Sequence, residues 1–155
     1  MAWRIRPMTE AHIPALAEIE NLSFAAPWSA DALREELCNP PAVFLVAEAE
    51  DGTPVGYAGM HAVAGEGFFT NVAVHPAYRR QGVADALIQA LTAYGSEHNF
   101  YRLALEVRVS NDAAIRLYEK HGFVKDGIRP RFYTAPTEDA AMYSLYFGGK
   151  NGCIF

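Results

Sequence analysis

The chain has 155 residues, a formal net charge of −5 and 51% hydrophobic residues. That length suits one domain around one core, and that apolar share excludes an intrinsically disordered chain. The acidic balance (pI about 5.5) argues against a nucleic-acid partner, which needs a basic face, and suits a cationic amine or a basic peptide.

Trp3, Ile5 and Pro7 alternate with Arg4 and Arg6, which predicts a first strand. Thr9 can cap a helix running to about Leu22, with Ile13, Leu16, Ile19 and Glu20 close together at helical spacing. Pro27-Trp28-Ser29 opens a second helix, with Ser29 as its cap and Trp28 stapled onto Leu33. Asn39-Pro40-Pro41 ends it. Val43 to Ala49 reads as a strand, Asp51-Gly52 as a hairpin turn and Val55 to Val63 as the next strand. Gly65-Glu66-Gly67 reads as a turn before a strand over Phe68 to Val74. A helix is expected from Gly82 to about Glu97, with Val83, Leu87, Leu91 and Tyr94 as its apolar stripe. Leu103 to Val107 is a short strand, and Ser110-Asn111-Asp112 starts a helix that reaches Lys120-His121 and stops at Gly122. Two final strands are expected near Phe123–Tyr133 and Ala141–Phe147. Residues 1–147 then form a single domain, and residues 148–155 a short tail expected to be mobile.

Three stretches carry chemistry. The first is the joint at Arg79-x-x-Gly82-x-Ala84, where a strand ending at His75-Pro76 passes into a helix. Small residues let backbone N–H groups close on a ligand, and a helix start leaves its first N–H groups unpaired with partial positive charge. That is an anion site suited to a pyrophosphate. Its spacing is neither Gly-x-x-x-x-Gly-Lys-Ser/Thr nor Gly-x-Gly-x-x-Gly, so a nucleotide-binding loop is not indicated. The second is Glu106, inside Leu103-Ala-Leu-Glu-Val107. It points with Ala104 to the face opposite Leu103, Leu105 and Val107. A carboxylate in a central strand needs a partner or a wet cleft, so Glu106 is either salt-bridged to Arg108 or another base, or a general base. The third is the helix carrying Asn111 and Tyr118, seven residues apart and therefore on one face. Taken alone, Asn111 reads as a cap and Tyr118 as a core aromatic.

The cysteines Cys38 and Cys153 are far apart, and the five histidines show no pair at ligand spacing, so neither a disulfide framework nor a metal is expected. No run approaches the roughly 20 apolar residues of a membrane helix, and the start does not read as a signal peptide. A cytoplasmic protein without a membrane partner is the expectation, as a monomer or weak homodimer.

Arg79-x-x-Gly82-x-Ala84 is similar to the acetyl-CoA loop of the GNAT N-acetyltransferases, and Asn111-x-x-Ala114-x-x-Leu117-Tyr118 followed by Gly122-Phe123 resembles a second signature region of that family. The order β-α-α-β-β-β-α-β-α-β-β matches too, over nearly the whole chain. Further marks resemble the bacterial ribosomal-protein-alanine N-acetyltransferase group (RimI type): Phe24-x-x-Pro27-Trp28-Ser29, the Asn71-Val-Ala-Val74 strand, Arg-Arg-Gln-Gly, Leu-Glu-Val-Arg with Ser-Asn, and Glu138-Asp139-Ala140. The resemblance implies an α/β GNAT fold, with a mixed, mostly antiparallel sheet of about seven strands flanked by four helices. It implies acetyl-CoA as co-substrate, held by Val72, Ala73 and Val74, by Arg79, Arg80, Gln81, Gly82, Val83, Ala84 and Asp85, and by Asn111. It implies Glu106 as general base and Tyr118 as general acid toward the departing thiolate. The implied acceptor is the N-terminal alanine of a ribosomal protein. The group often carries Arg-Arg-Asn-Tyr-Tyr where this chain has Arg129-Pro130-Arg131-Phe132-Tyr133, and Thr134–Thr137 is short. Those departures keep open a small-molecule amine or a protein lysine as acceptor. A non-catalytic acetyl-CoA sensor is a further alternative, against which the retained Glu106 and Tyr118 count.

Overall fold

The computed structural model describes residues 3–148. Cys153 and most of the expected mobile tail lie outside the described residues. In chain order the elements are β1 (Arg4–Pro7), a 3-10 turn (Glu10–His12), α1 (Ile13–Ser23), α2 (Ala30–Glu36), β2 (Ala42–Glu48), β3 (Pro54–Val63) and β4 (Glu66–Val74). A second 3-10 turn (Pro76–Tyr78) follows, then α3 (Val83–Glu97), β5 (Arg102–Arg108), α4 (Asp112–Lys120), β6 (Val124–Tyr133) and β7 (Glu138–Tyr146). The seven strands form one sheet in the order β1-β2-β3-β4-β5-β7-β6. All neighbours are antiparallel except β4 and β5.

Each helix covers the sheet with the stripe its sequence supplies. α3 buries Val83, Leu87, Ile88 and Leu91 against Val55, Ala58, Met60, Leu103 and Leu105 on one face. Burying each such side chain contributes about 1.5–3 kcal/mol. α4 adds Tyr118 to the same core. α1 buries Ile13, Leu16 and Ile19, and α2 buries Leu33, on the opposite face against Phe44, Val46, Tyr57 and Ala73. The side chain of Ser29 accepts a 3.0 Å bond from the Ala32 N–H, as a cap should. Trp28 packs against the same core as Leu33, beside Phe44.

Several boundaries differ from the sequence reading. Thr9 opens a 3-10 turn, so α1 starts at Ile13. β4 starts at Glu66, and Gly67 is a strand residue rather than a turn residue. A Cβ on Gly67 would lie 2.7 Å from the side chains of Leu103 and Met60, so close packing, not a turn, calls for glycine there. β7 starts three residues earlier than expected, at Glu138.

One irregularity positions the site. Gly59 pairs with Asn71 and Met60 with Phe69, which leaves Thr70 as an extra residue in β4. Such a bulge bends and twists the strand that carries it. β4 pairs with β5 only at Glu66, Gly67 and Phe68, opposite Arg102, Leu103 and Ala104. Beyond Phe68 the two parallel strands part, so the sheet opens a cleft between Asn71–Val74 and Leu105–Arg108.

Candidate active site

The loop expected to bind an anion follows β4 at one end of this cleft. After the turn Pro76–Tyr78, Arg80 takes a left-handed φ of +63° and Gly82 one of +84°. Two such residues within three positions turn the chain sharply into α3. Among the described residues no side chain caps α3, which leaves its first N–H groups able to meet a ligand. A Cβ on Gly82 would meet nothing within 4 Å. Glycine is therefore set there by conformation, and the space beside it is open. These features fit a pyrophosphate. Asp85, in the first turn, would oppose an anion if left bare. It instead pairs with Lys120 at 2.9 Å and His121 at 2.8 Å, which holds its carboxyl below the usual range, the Lys120 hydrogen bond most of all. The same contacts tie the α3 start to the end of α4.

Val72 and Val74 turn toward the α3 core, and the neighbouring Ala73 faces the α1 side. From Phe69 onward, β4 has a strand partner only in β3. Its free edge lies along the cleft, where an extended arm can add as a partial strand. Asn111 is the α4 cap, its Oδ1 accepting from the Ala114 N–H at 3.2 Å.

Glu106 and Tyr118 come from different elements and share Phe69, which lines the depression beside Glu106 and packs against the Tyr118 ring. Glu106 lies mid-β5 and lines an open depression with Phe68, Phe69, Ala104, Arg129 and Met142. Its side chain is one-third exposed, and its Oε2 lies 3.3 Å from Arg129 Nη2. Arg108, the neighbour in sequence, is engaged elsewhere: it donates to Glu138, Pro136 O and Thr134 O at 3.0–3.1 Å and clamps the β6–β7 loop. Tyr118 is buried between Phe69 and Phe123. Its hydroxyl bonds to no other described side chain or backbone group, and burial, then the nearby Tyr133, pushes its pKa well above the usual value. A proton on that hydroxyl is therefore retained throughout the neutral range.

Two groups of residues received no role of their own in the sequence reading, although Tyr133 was named in the altered Arg129–Tyr133 segment and Glu20 on the α1 stripe. Tyr133 is half-buried near Glu106 and Tyr118. Its pKa is raised by burial first and by the Glu106 charge second. Arg108 stacks on its ring at 4.5 Å. The alternation of Arg129, Arg131 and Tyr133 hinted at one face of β6, but the irregular register between Arg129 and Tyr133 hides that face. The second group is buried beneath the segment joining α1 to α2. Glu20, only 2% exposed, accepts from the Trp28 N–H at 2.9 Å and from the Tyr57 hydroxyl at 2.5 Å. Tyr57 in turn accepts from Asn71 Nδ2 at 3.0 Å. This chain fixes the α1–α2 segment to β3 and β4. A glutamate on the apolar stripe of α1 was the one sequence signal for it.

The chain thus carries an uncapped helix start after a sharp turn, a strand edge beside the β4–β5 opening, a carboxylate in an open depression and a protonated phenol packed on Phe69, which lines that depression. Residues 13–123 match the model of the Acetyltransferase (GNAT) family. A Bacillus subtilis (strain 168) protein provisionally named a ribosomal protein bS18-alanine N-acetyltransferase is 41% identical over 139 residues, which cover 89% of this chain and 91% of that one. The ribosomal protein bS18-alanine N-acetyltransferase of Escherichia coli (strain K12) is 34% identical over 143 residues, 91% of this chain and 95% of that one. The crystal structure of the Escherichia coli ribosomal-protein-S18-alanine N-acetyltransferase superposes with a TM-score of 0.86 at 32% identity, over 97% of this chain and 98% of that one. A shared fold, a family match across the cofactor-side elements and relatives aligned along most of their length lead to one conclusion: this chain belongs to the GNAT family of acetyl-CoA-dependent N-acetyltransferases.

Proposed function

We propose that this enzyme moves the acetyl group of acetyl-CoA to the α-amine of a protein N-terminus, and that the acceptor is the N-terminal alanine of a ribosomal protein. The observation that supports the chemistry is that Glu106 and Tyr118 share two neighbours, Phe69 and Tyr133, next to the opening between β4 and β5. The relatives named for bS18-alanine acetylation support the acceptor.

In this reading the backbone of Arg80, Gln81, Gly82, Val83, Ala84 and Asp85 holds the pyrophosphate, with Arg79 beginning the loop. The edge of Val72, Ala73 and Val74 aligns the pantetheine arm, and Asn111 borders it from α4. A β4 N–H near Val74 donates to the thioester carbonyl and stabilises the developing oxyanion. Glu106, directly or through a water, takes the proton from the acceptor ammonium. The amine attacks the thioester carbon, the C–S bond breaks, Tyr118 gives its proton to the departing thiolate, and the proton still on the nitrogen leaves through water to the tyrosinate, which restores the phenol. No cysteine nucleophile is needed.

The acceptor class follows from proton affinity. An α-amine has a pKa of about 7.7–8.0 and a lysine one of about 10.4. At pH 7 roughly a tenth of α-amines are already neutral, against fewer than about one lysine in a thousand. One carboxylate therefore serves an N-terminus better than a lysine. An acidic enzyme also steers a basic ribosomal N-terminus toward itself. The test is a comparison of kcat/KM for an Ala-N-terminal basic peptide, the same peptide with its N-terminus blocked and a lysine inside, and spermidine. The peptide with the free α-amine should be preferred by at least about 100-fold, a lower bound taken from the proton equilibria. Equal or better turnover of spermidine or lysine would overturn the acceptor assignment.

A further inference from the structure

Arg79 begins the anion loop, yet its guanidinium is engaged by two other segments. Nε donates to the Val74 carbonyl at 3.1 Å, and Nη2 donates to the Ser23 hydroxyl at 3.1 Å. Val74 is the last residue of β4, and Ser23 is the last residue of α1. The α1–α2 segment, residues 24–29, starts directly after Ser23. The far end of that segment is held at Trp28 by Glu20, and Glu20 is held by Tyr57. Residues 24–29 are thus moored at both ends, and one mooring is the first side chain of the anion loop. Behind that loop, the Trp3 indole, just before β1, donates to the Gln81 carbonyl at 3.0 Å and braces it.

We propose that Arg79 is a positioning residue that couples the acetyl-CoA loop to the α1–α2 segment through Ser23. This rests on the acetyl-CoA reading of the loop. When the loop closes on a pyrophosphate, Arg79 is fixed, Ser23 is fixed with it, and residues 24–29 settle into one arrangement beside the β4 edge of the cleft, to which Glu20, Tyr57 and Asn71 tie them. Arg79 then acts on the order of binding and not on the chemical step: an acceptor binds more tightly once the cofactor is in place. Linkage makes the effect reciprocal, so the acceptor tightens CoA by the same factor. A planar guanidinium can hold the Val74 carbonyl and the Ser23 hydroxyl at once, whereas an ammonium is a single compact donor centre.

The test uses the full chain with Ser23→Ala, Arg79→Lys and the double variant. Amide hydrogen exchange is followed with and without CoA, the CoA Kd is measured by calorimetry, and acceptor KM and kcat are measured with an Ala-N-terminal peptide. In the wild type, CoA should slow exchange both at residues 80–85 and at residues 24–29. Ser23→Ala should keep the slowing at 80–85 and the CoA Kd within about twofold, lose the slowing at 24–29, and raise acceptor KM about fivefold or more with kcat little changed. The double variant should be no worse than Arg79→Lys alone, because both break one link. Slowing at 24–29 that survives in Ser23→Ala overturns the coupling, as do effects that simply multiply. CoA binding that never touches residues 24–29 sinks the coupling alone. Failure of CoA to bind the wild type sinks the acetyl-CoA reading of the loop as well.

Discussion

Replacing Gly82 with alanine separates the two demands the anion loop makes on its backbone. Gly82 has φ +84° and ψ 11°, a left-handed conformation. An L-residue held there loses roughly 1–2 kcal/mol. Nothing lies within 4 Å of the added methyl, so no clash inside the chain adds to that cost. For a chain of this size, 1 kcal/mol moves Tm by about 2–4 °C, which gives a fall of about 2–8 °C. The effect on the cofactor is separate. If the loop keeps its shape, the methyl stands in the space beside the uncapped α3 N-terminus. If the loop relaxes, its N–H groups no longer converge. Either route should weaken CoA at least about tenfold, equivalent to 1.4 kcal/mol. Gly52→Ala is the matched control. It has φ +88° and also nothing within 4 Å, but it sits in the β2–β3 turn. It should lower Tm by a similar amount and leave CoA affinity alone. Scanning calorimetry gives Tm, and titration calorimetry gives the CoA Kd. Wild-type CoA affinity in Gly82→Ala, or equal weakening in Gly52→Ala, would refute this account of the loop.

Glu106→Gln and Tyr118→Phe should each lower kcat by about 10²–10⁴-fold, the usual worth of a general base or acid, with far-UV circular dichroism and Tm near wild type. Near-normal turnover in either variant removes that residue from the chemistry. Glu20→Ala leaves the Trp28 N–H and the Tyr57 hydroxyl without their partner in a buried setting, so urea denaturation should show a loss of about 2–5 kcal/mol. A loss under about 1 kcal/mol would mean the network is dispensable. The pKa values of Tyr57 and Tyr118 are both raised above the usual 10.0, chiefly by burial. The folded state holds those protons more tightly than the unfolded chain. Their contribution to stability is therefore complete below pH 10 and declines as pH rises past it. Unfolding free energies measured from pH 8 to 11 should fall at the alkaline end, less steeply in Tyr118→Phe. Stability that climbs over that range contradicts the assignment.

The local signals in the sequence carried the fold well because each depends on neighbours along the chain. The alternation around Glu106 separated its face from that of Leu103, Leu105 and Val107, and all three apolar residues are in the α3 core. Ser29 and Asn111 cap the helices they precede. Glu106 was harder to read. Its cation partner is Arg129, not Arg108, because β7 lies between β5 and β6 and brings Arg129 level with Ala140 while Glu106 lies level with Met142. A one-strand pattern cannot reveal a partner two strands away. The same limit hid the Glu20–Tyr57–Asn71 chain, whose members come from α1, β3 and β4. The extra residue Thr70 and the parting of β4 from β5 also escaped, since a bulge is a mismatch between two strands. What the sequence concealed was therefore the part of the cleft made by long-range pairing.

Mass spectrometry of peptides incubated with enzyme and acetyl-CoA tests the central claim most directly. One peptide carries a free N-terminal alanine followed by basic and aromatic residues. Its companion has a blocked N-terminus and an internal lysine. The account predicts the mass gain of one acetyl group on the first peptide alone, located at its α-amine by fragmentation, and loss of that gain in Glu106→Gln over the same incubation. Acetyl on the lysine peptide at a comparable rate, or no acetyl on either peptide while CoA binds, would contradict it.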